Sequence, residues 1–323
     1  MATPSDAAES DRTLIRGSSR LPMPKTKGGL RMPDTKHQEP GRVLPDLVKS
    51  FLEERIEKRS LELPVLPQVA SQVMEMCNAE DTDAAKLSQM IHRNQSLAGH
   101  VLRVANSPAI RPKTPIISLQ QAVSRIGMRQ ITEIAFAISV KAKIFRSESH
   151  IDVVHDLWRY SVAGGLFAKE VARQRRRNVE STFLCGLLHN VGKPVLLDVL
   201  GELEKQMGRP LPRPDILLAL DTYHTEVGSQ LAQEWALPPQ TVEAIRYHEN
   251  YQEAPTFGEV AMTVNLAVCL AKLAIESTEE SWEVDQQVLQ ELQVLEDLNL
   301  YPTDLQKLVD HTERIRETVA ATF

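Results

Sequence analysis

Residues 183–197 combine an apolar helix with several side chains that could do chemistry. Phe183–Leu188 is almost entirely apolar and runs into His189, then Asn190, then a Gly192–Lys193 turn. A histidine can bind a metal ion or transfer protons near neutral pH, and a lysine can contact a phosphate. Asn190, however, is neutral, and a site that holds divalent metal ions needs anionic oxygen ligands. What this segment can do therefore depends on the residues that surround it.

Each of these residues also has a structural interpretation. We expect His189 to be a core histidine that hydrogen-bonds to backbone, because it ends an apolar helix. Asn190 is expected to bond locally at the helix end. Gly192 is expected to supply a turn conformation closed to other residues. For Lys193 an ordinary ion pair is expected in preference to a phosphate contact.

The strongest local charge signal is the run Arg173-Gln-Arg-Arg-Arg177. Guanidinium groups can hold phosphate or guanine with two hydrogen bonds each, so Arg173, Arg175, Arg176 and Arg177 are candidate nucleotide-binding residues. The run also lies near a predicted helix C-terminus, where cations interact favourably with the helix dipole. This interaction explains the run without a bound nucleotide. Nucleic-acid binding is not expected, because no interleaved aromatics or recognition-helix pattern accompany the arginines.

Composition and charge exclude several classes of protein. The 323 residues carry a net charge of −6, so the whole molecule has no general attraction for nucleic acid or anionic lipid. Three separated cysteines without CxxC spacing predict buried thiols, with neither a disulfide framework nor a zinc site. The sequence start lacks a signal-peptide pattern, and the apolar run around residues 260–271 is too short to span a bilayer. We therefore expect a cytoplasmic protein that does not bind membranes.

Helical periodicity dominates from Leu44 onward, and no segment alternates with period two for long enough to be a strand. Residues 1–43 are rich in Pro, Gly, Ser and basic residues and are predicted to be a disordered tail. Ser96 and Ser118 are predicted to cap helices, and Trp158 is expected to anchor a junction between lobes. The later predicted helices are Ile151–Arg173, Phe183–Asn190, Val195–Met207, Asp215–Trp235, Pro239–His248, Gly258–Ile275, Val284–Leu298 and Asp304–Val319.

Several short motifs follow one another along the chain. They are Leu63-Pro-Val-Leu-Pro67, Leu102-Arg-Val-Ala-Asn-Ser107, Ile117-Ser-Leu-Gln-Gln-Ala-Val123, Leu187-Leu-His-Asn-Val-Gly-Lys193, His224-Thr-Glu-Val-Gly228, Trp235-Ala-Leu-Pro238 and Ala244-Ile-Arg-Tyr-His248. Together they resemble the HDOD domain, the HD-related output domain of bacterial signalling proteins, over about residues 61–275. The resemblance implies an all-α fold with two lobes, at 44–150 and 151–276, the second related to HD phosphohydrolases. Residues 277–323 form a helical C-terminal extension outside it.

The resemblance allows the metal-binding positions of HD enzymes to be compared with this chain. Where those enzymes have their first histidine ligand, this chain has Tyr160. The central His-Asp pair is His189-Asn190, and the last aspartate aligns with Asn265. A neutral amide cannot bridge two cations as a carboxylate does, and a neutral phenol is a poor ligand. The catalytic centre is therefore expected to be lost.

His224 and His248 remain, at positions similar to the downstream histidines of HD-GYP relatives. Histidines without a carboxylate could capture a stray transition metal but would not assemble a hydrolytic pair of ions. No catalytic residue, metal or cofactor is predicted. We call the following set the vestigial HD pocket: Tyr160, His189, Asn190, Lys193, His224, His248 and Asn265.

The resemblance implies a regulatory or scaffolding role. We therefore predict a non-enzymatic signalling module that binds regulatory or signalling proteins, with homo-oligomerisation left open. The C-terminal extension is the predicted partner or dimerisation surface. Two alternatives stay open at this point. One is a cyclic-dinucleotide (c-di-GMP) receptor built around Arg173–Arg177. The other is a residual metal-dependent phosphodiesterase that uses His189, His224 and His248.

Overall fold

The computed structural model describes residues 42–78, 84–107, 110, 114–147 and 150–322, and all regular elements in these ranges are helical. The predicted all-α fold is therefore confirmed, while the predicted tail lies almost entirely outside the described residues. The first part of the chain contains α1 (Asp46–Glu57), α2 (Gln68–Asn78), α3 (Ala84–His92), α4 (Gln95–Ala105), α5 (Leu119–Ile126) and α6 (Met128–Lys143). The second contains α7 (Ile151–Gln174), α8 (Val179–Leu188), α9 (Gly192–Met207), α10 (Arg213–Glu234), α11 (Pro239–Tyr247), a 3-10 turn (Tyr251–Glu253) and α12 (Gly258–Glu276). The C-terminal extension contains α13 (Trp282–Gln290), α14 (Gln293–Asp297), α15 (Pro302–Val309) and α16 (Thr312–Ala321).

The first lobe is built around α6, which packs against α2, α3, α4 and α5. Ser118 caps α5 as predicted, because its hydroxyl oxygen accepts a hydrogen bond from the Gln121 amide at 3.2 Å. The cap of α4 differs from the prediction. Asn94, and not Ser96, accepts a hydrogen bond from the Leu97 amide at 3.1 Å, so the helix begins two residues earlier. Either side chain can satisfy a first-turn amide, and the sequence alone did not distinguish them.

Residues 42–64 lie along α10 of the second lobe, whereas the prediction assigned residues 1–43 to the tail and residues 44–150 to the first lobe. Arg42 pairs with Asp215 near the start of α10 at 2.8 Å. At the other end of the helix, the Trp235 indole nitrogen donates to the Pro64 carbonyl at 2.7 Å. Helix α1 therefore runs in the same direction as α10 and packs on α9 and α10. Periodicity identifies the apolar face of α1 but not the lobe that covers it.

The second lobe is centred on α7, which packs against α8 and α12. Trp158 of α7 is 1% exposed, and its indole nitrogen donates to the Thr322 hydroxyl at 3.0 Å. Its ring meets Phe145 edge-on, with 5.2 Å between centroids. Phe145 follows α6 of the first lobe, and Thr322 is the last described residue. Trp158 thus joins both lobes to the C-terminal extension.

The C-terminal extension contains four short helices where the sequence pattern predicted two. Leu292 is extended (φ −68°, ψ 125°) and separates α13 from α14. Tyr301 is also extended (φ −88°, ψ 163°), because Pro302 disfavours helical backbone in the residue before it. The helices pack on α7 and α12, and α16 also reaches α4 of the first lobe. Their apolar faces are therefore covered within the chain.

Glu170 on α7 ties the extension to the second lobe. Its side chain pairs with Arg173 of the same helix, with Arg314 of α16 at 2.8 Å and with His311 at 3.6 Å. Burial by itself would raise the pKa of Glu170. The hydrogen bond from Arg173 and the charges of Arg173, His311 and Arg314 outweigh burial and hold the pKa below its usual value. Because the folded pKa is lowered, the stabilisation exists above the unfolded pKa of about 4.5 and is lost in more acidic solution.

Replacing Glu170 with glutamine should lower the free energy of unfolding by about 1–3 kcal/mol at neutral pH, because charge-assisted hydrogen bonds are lost. The difference from wild type should shrink as the pH falls through the lowered pKa of Glu170. Urea denaturation at neutral and acidic pH measures both effects. The matched control is E313Q, whose carboxylate is 76% exposed and pairs with Arg316, and which should change little. An equally large effect of E170Q in acid would contradict the ion-pair explanation.

Two helical segments, Ser181–Met207 and Gly258–Glu276, are long and apolar enough to cross a membrane. In the most apolar 18-residue stretch of each segment, 83% of the first and 56% of the second is buried inside the fold. Burial of this kind is usual for the core helices of a protein. Each segment carries a buried, free cysteine, Cys185 or Cys269. Burial raises the pKa of the Cys185 thiol to about 12 and that of Cys269 to about 11, so both remain protonated core residues.

Candidate functional site

Three histidines from distant parts of the chain meet in the second lobe. His189 follows α8, His224 lies on α10 and His248 follows α11, and each is at most 4% exposed. The His248 ring lies 5.3 Å from the His189 ring and 5.4 Å from the His224 ring, between centroids and edge to face. Packing of α11 against both α8 and α10 brings the three together. We call these residues the histidine cluster.

Each ring of the histidine cluster is oriented by a backbone carbonyl. The three Nδ1 atoms lie 2.7 Å from the carbonyl oxygen of Gly186, 3.0 Å from that of Leu220 and 3.0 Å from that of Ile245. Because a carbonyl oxygen can only accept, each Nδ1 carries the proton and each Nε2 keeps its lone pair. Burial lowers the pKa of all three imidazoles, and the nearby Lys193 ammonium lowers them further. The cluster is therefore neutral at pH 7.

Asn190 lies next to the cluster and connects α8 to α7. The amide is 2% exposed, and its Oδ1 accepts a hydrogen bond from the Ser161 hydroxyl at 2.5 Å. Its Nδ2 donates to the Leu157 carbonyl at 3.1 Å. The side chain thus bonds a neighbouring helix, and not its own helix end as the sequence pattern suggested. An ionised aspartate at this position could not donate to Leu157, so at neutral pH the local structure favours an amide.

Asn265 on α12 has a comparable role. Its Nδ2 donates to the His248 carbonyl at 2.8 Å and so holds the turn that carries this histidine. Tyr160 is directed elsewhere, because its hydroxyl donates to Glu276 at 2.5 Å. Glu276 ends α12, roughly 16 Å along the helix from Asn265. Burial and the charge of Glu276 raise the pKa of Tyr160, which disfavours a phenolate ligand. The structure therefore separates Tyr160 from the rest of the vestigial HD pocket.

Gly192 and Lys193 begin α9 beside the cluster. Lys193 forms an ion pair with Asp221 of α10 at 2.6 Å, with each side chain 20% exposed. Gly192 does not have the positive φ that the predicted turn would need. A Cβ atom at Gly192 would overlap the His224 carbonyl oxygen and lie 2.6 Å from the Gly228 amide nitrogen. This glycine therefore allows the close approach of α9 and α10 that positions His224.

Replacing Gly192 with alanine should lower the free energy of unfolding by about 2–3 kcal/mol, because the added methyl group meets rigid backbone. Gly201 lies on the same helix, and no heavy atom is within 4 Å of a Cβ placed there. The matched variant G201A should raise stability by about 0.5–1 kcal/mol through helix propensity. Thermal or urea unfolding of both variants measures the difference. Equal effects of the two substitutions would contradict the close-approach role.

The residues around the histidine cluster do not fit the two-ion centre of HD phosphohydrolases. Asn190, which the resemblance aligns with the bridging aspartate, is neutral, and both of its polar atoms are bonded to α7. Asn265 is also a neutral amide, and its Nδ2 is engaged by the His248 carbonyl at 2.8 Å. The centre therefore lacks the two anionic groups that would neutralise a pair of divalent ions.

One carboxylate that the sequence interpretation overlooked does lie beside the cluster. Glu249 Oε1 is 3.7 Å from His224 Nε2, and the side chain is 47% exposed. Among the described residues, His224, His248 and Glu249 have ligand atoms that all lie within 4.8 Å of one another. The available signal was the adjacency of Glu249 to His248 in the sequence.

The arginine run is divided among several intramolecular partners. Arg173 pairs with Glu170, while Arg175 and Arg177 both contact Glu259 of α12, at 2.5 Å and 2.7 Å. The Arg175 guanidinium also donates to the Leu298 carbonyl at 3.1 Å. Arg176 has a positive φ of 54° in the turn that ends α7. The run therefore connects the end of α7 to α12 and to the C-terminal extension.

A cavity of about 500 Å³ lies apart from the histidine cluster, between α7, α12 and α16. Its lining combines apolar side chains, such as Ile275 and Val319, with Arg159 and Arg316. The Arg316 guanidinium already donates to the Ala274 carbonyl at 2.6 Å. The cavity shares no lining residue with the vestigial HD pocket.

A family model described as the HDOD domain matches residues 63–251, which is more than half of the chain. An uncharacterised protein from Treponema pallidum (strain Nichols) is 28% identical over 202 residues, which cover 59% of this chain and 39% of that protein. The chain thus spans about two fifths of the length of this relative.

Several solved structures share the fold. A Shewanella amazonensis SB2B protein, provisionally named a metal-dependent phosphohydrolase, has a TM-score of 0.65 at 20% identity and covers 84% of this chain and 98% of its own. An HDOD domain protein of unknown function from Geobacter sulfurreducens has a TM-score of 0.55 at 19% identity and covers 84% and 99%. A Marinobacter aquaeolei VT8 protein, provisionally named a signal transduction protein, has a TM-score of 0.60 at 21% identity and covers 85% and 65%. At these identities the likeness concerns the fold alone, and it extends beyond residues 63–251.

Proposed function

Because the chain belongs to the HDOD family, we propose that it is a non-catalytic signalling module that acts in the cytoplasm by binding regulatory or signalling proteins. The observation that carries this proposal is the engagement of Asn190 with Ser161 and Leu157. Hydrolysis by an HD centre requires an anionic ligand here to hold and bridge the metal ions. A buried amide with both polar atoms bonded to the neighbouring helix serves packing instead. The hydrogen bonds of Asn190 therefore support a hydrolase-like fold that functions through its surface and not through a catalytic centre.

The two alternative functions have less support. In a cyclic-dinucleotide receptor, the arginines would have to exchange their bonds to Glu170, Glu259 and Leu298 for bonds to the ligand. Such an exchange gives little net free energy, because one charge-assisted hydrogen bond replaces another. A residual phosphodiesterase would need a pair of metal ions, for which the site offers neutral amides. Neither alternative is favoured by a specific contact.

The partner surface that we favour is the outer face of the C-terminal extension. Its inner face is covered by α7 and α12, so only outward side chains are available to another protein. Val284 on α13 and Tyr301 before α15 are 60% and 71% exposed. Tyr301 is the stronger of the two candidates, because tyrosine is enriched at the centres of protein interfaces.

The catalytic half of the proposal is tested with purified full-length protein in excess Mn²⁺, Fe²⁺ or Mg²⁺. The substrates are cyclic di-GMP and a chromogenic phosphodiester. We expect turnover no faster than that of buffer containing the same ion. Wild-type turnover that disappears in H248A, with circular dichroism showing that this variant is still folded, would overturn the proposal.

The binding half is tested by capturing partners from native lysate with wild-type protein and with a V284A/Y301A variant. Both side chains are exposed, so the variant should unfold at the same urea concentration as wild type. We expect one or more proteins to be captured by wild type and lost from the variant. The matched control is V65A, because Val65 is 80% exposed on a different part of the surface. Equal capture by all three proteins would refute the assignment of this surface.

A further inference from the structure

We propose that His224, His248 and Glu249 bind a single first-row transition-metal ion such as Zn²⁺. This site differs from a two-ion HD centre, because it uses neither Asn190 nor Asn265 and gains its one carboxylate from Glu249. It goes beyond the proposed signalling function, since a bound ion would stabilise the second lobe without hydrolysing a substrate.

The positions of the ligand atoms match one ion. Two ligands of a tetrahedral zinc ion, each about 2.0–2.1 Å from the metal, lie roughly 3.4 Å apart. His224 Nε2 and Glu249 Oε1 are 3.7 Å apart, and all three ligand atoms lie within 4.8 Å of one another. The largest of the three separations is at most 4.8 Å and must therefore contract by about 1.4 Å at most. The Glu249 side chain is 47% exposed and can move toward the two histidines without disturbing the core.

The two imidazoles are already oriented as metal ligands are. The Nδ1 atoms of His224 and His248 lie 3.0 Å from the Leu220 and Ile245 carbonyls, respectively. A hydrogen bond of this type fixes the ring and leaves Nε2 as a free donor of electron density to a metal. The Asn265 Nδ2 donates to the His248 backbone carbonyl at 2.8 Å and so fixes the position of this histidine. Folding thus arranges both rings before any ion arrives.

The charges around the site permit a cation. Lys193 lies close enough to the cluster to lower the histidine pKa values, but Asp221 neutralises its ammonium group at 2.6 Å. Glu249 then supplies the negative charge that partly balances a divalent ion. An anion is a poorer occupant, because three neutral imidazoles present lone pairs and would repel it. Three protein ligands leave a fourth position for water or for a group from a partner.

The test is calorimetric titration of metal-free full-length protein with Zn²⁺, accompanied by the visible absorption spectrum of the Co²⁺-substituted protein. We expect one equivalent of ion to bind and the Co²⁺ spectrum to be that of a four-coordinate site. The variant E249Q should bind at least about tenfold more weakly. The matched control E226Q removes a similarly exposed carboxylate that pairs with Arg246, and its affinity should equal that of wild type.

The histidine variants H224A and H248A should abolish binding, but both residues are buried and these variants could unfold. E249Q keeps the proposal testable, because its side chain is half-exposed and its shape is unchanged. Lack of stoichiometric binding by wild type, or equal affinity of wild type and E249Q, would overturn the site. Metal binding without turnover leaves the proposed signalling function intact, whereas turnover would refute that function and not the ion site.

Discussion

Replacing Asn190 with aspartate is expected to destabilise the protein by about 3–5 kcal/mol at neutral pH. The new carboxylate would keep the hydrogen bond from Ser161 but would face the Leu157 carbonyl oxygen without a proton to donate. A buried charge without a partner has a cost of this size. Urea denaturation of the variant and of wild type measures the difference. Introducing the aspartate of the HD motif at this position is therefore expected to destabilise the fold.

The pH dependence identifies the cause of this destabilisation. A buried carboxyl facing a carbonyl oxygen has a raised pKa, and once protonated it can donate to Leu157 as the amide does. The penalty of N190D relative to wild type should therefore shrink as the solution becomes acidic. N190A is the matched control, with a smaller, pH-independent cost of about 1–3 kcal/mol for two lost hydrogen bonds. If N190D were as stable as wild type, or were rescued by Mn²⁺, the amide would not be the structural element described here.

Truncation before Thr312 is expected to lower the free energy of unfolding by about 5 kcal/mol or more, a large part of the stability of an ordinary domain. The lost helix α16 buries Ile315 and Val319 and contacts α4, α7 and α12. Single large-to-small changes at such buried positions cost about 1–5 kcal/mol each. The hydrogen bond between Trp158 and Thr322 is lost as well. Circular dichroism and urea denaturation of the truncated chain measure the effect.

Two variants distinguish a role in folding from a role in partner binding alone. I315A should lower stability by about 2–4 kcal/mol, because its side chain is 2% exposed. T322V replaces only the hydroxyl, which accepts from Trp158 and donates to the Val319 carbonyl, and should cost about 1 kcal/mol. A truncated chain with the unfolding midpoint of wild type would show that the extension is a separate appendage. In that case the extension would contribute to partner binding alone and would not be needed for folding.

Much of the fold could be predicted because it depends on local signals. Helical periodicity indicated the all-α class, and Ser118 marked the start of α5 through a single side-chain cap. The size and rarity of Trp158 indicated a junction, and it does join both lobes. The ordered motifs indicated the HDOD family. The first three inferences need only residues and their near neighbours in the sequence, and the family needs only the order of short motifs along it.

The remainder depends on contacts between distant segments. The pattern of α1 shows an apolar face, but only the bond of Arg42 to Asp215 and the neighbouring contacts place it on the second lobe. Gly192 read as a turn residue, whereas its constraint comes from the backbone of α10. Glu249 was not singled out by any sequence pattern, and only the fold places it 3.7 Å from His224. In all three cases the outcome depends on packing between segments that are distant in the sequence. Such packing cannot be read from the pattern of a single sequence.

The same limit applies to the candidate site. The sequence predicted that Asn190 and Asn265 stand where HD enzymes have carboxylates, but it did not predict the hydrogen-bond partners of these amides. The bond of Tyr160 to Glu276 joins residues of different helices, and no spacing rule predicts it. The sequence thus predicted a site without anionic metal ligands, and the structure shows which groups the amides of Asn190 and Asn265 contact.

The central claim, that amides have taken over the carboxylate positions for structural use, is tested most directly by a crystal structure of the full-length protein grown or soaked with excess Mn²⁺ or Zn²⁺. Anomalous scattering locates every bound ion. The account predicts at most one ion at the histidine cluster, next to Glu249, with Asn190 still bonded to Ser161 and Leu157. Two ions bridged beside Asn190 would contradict it.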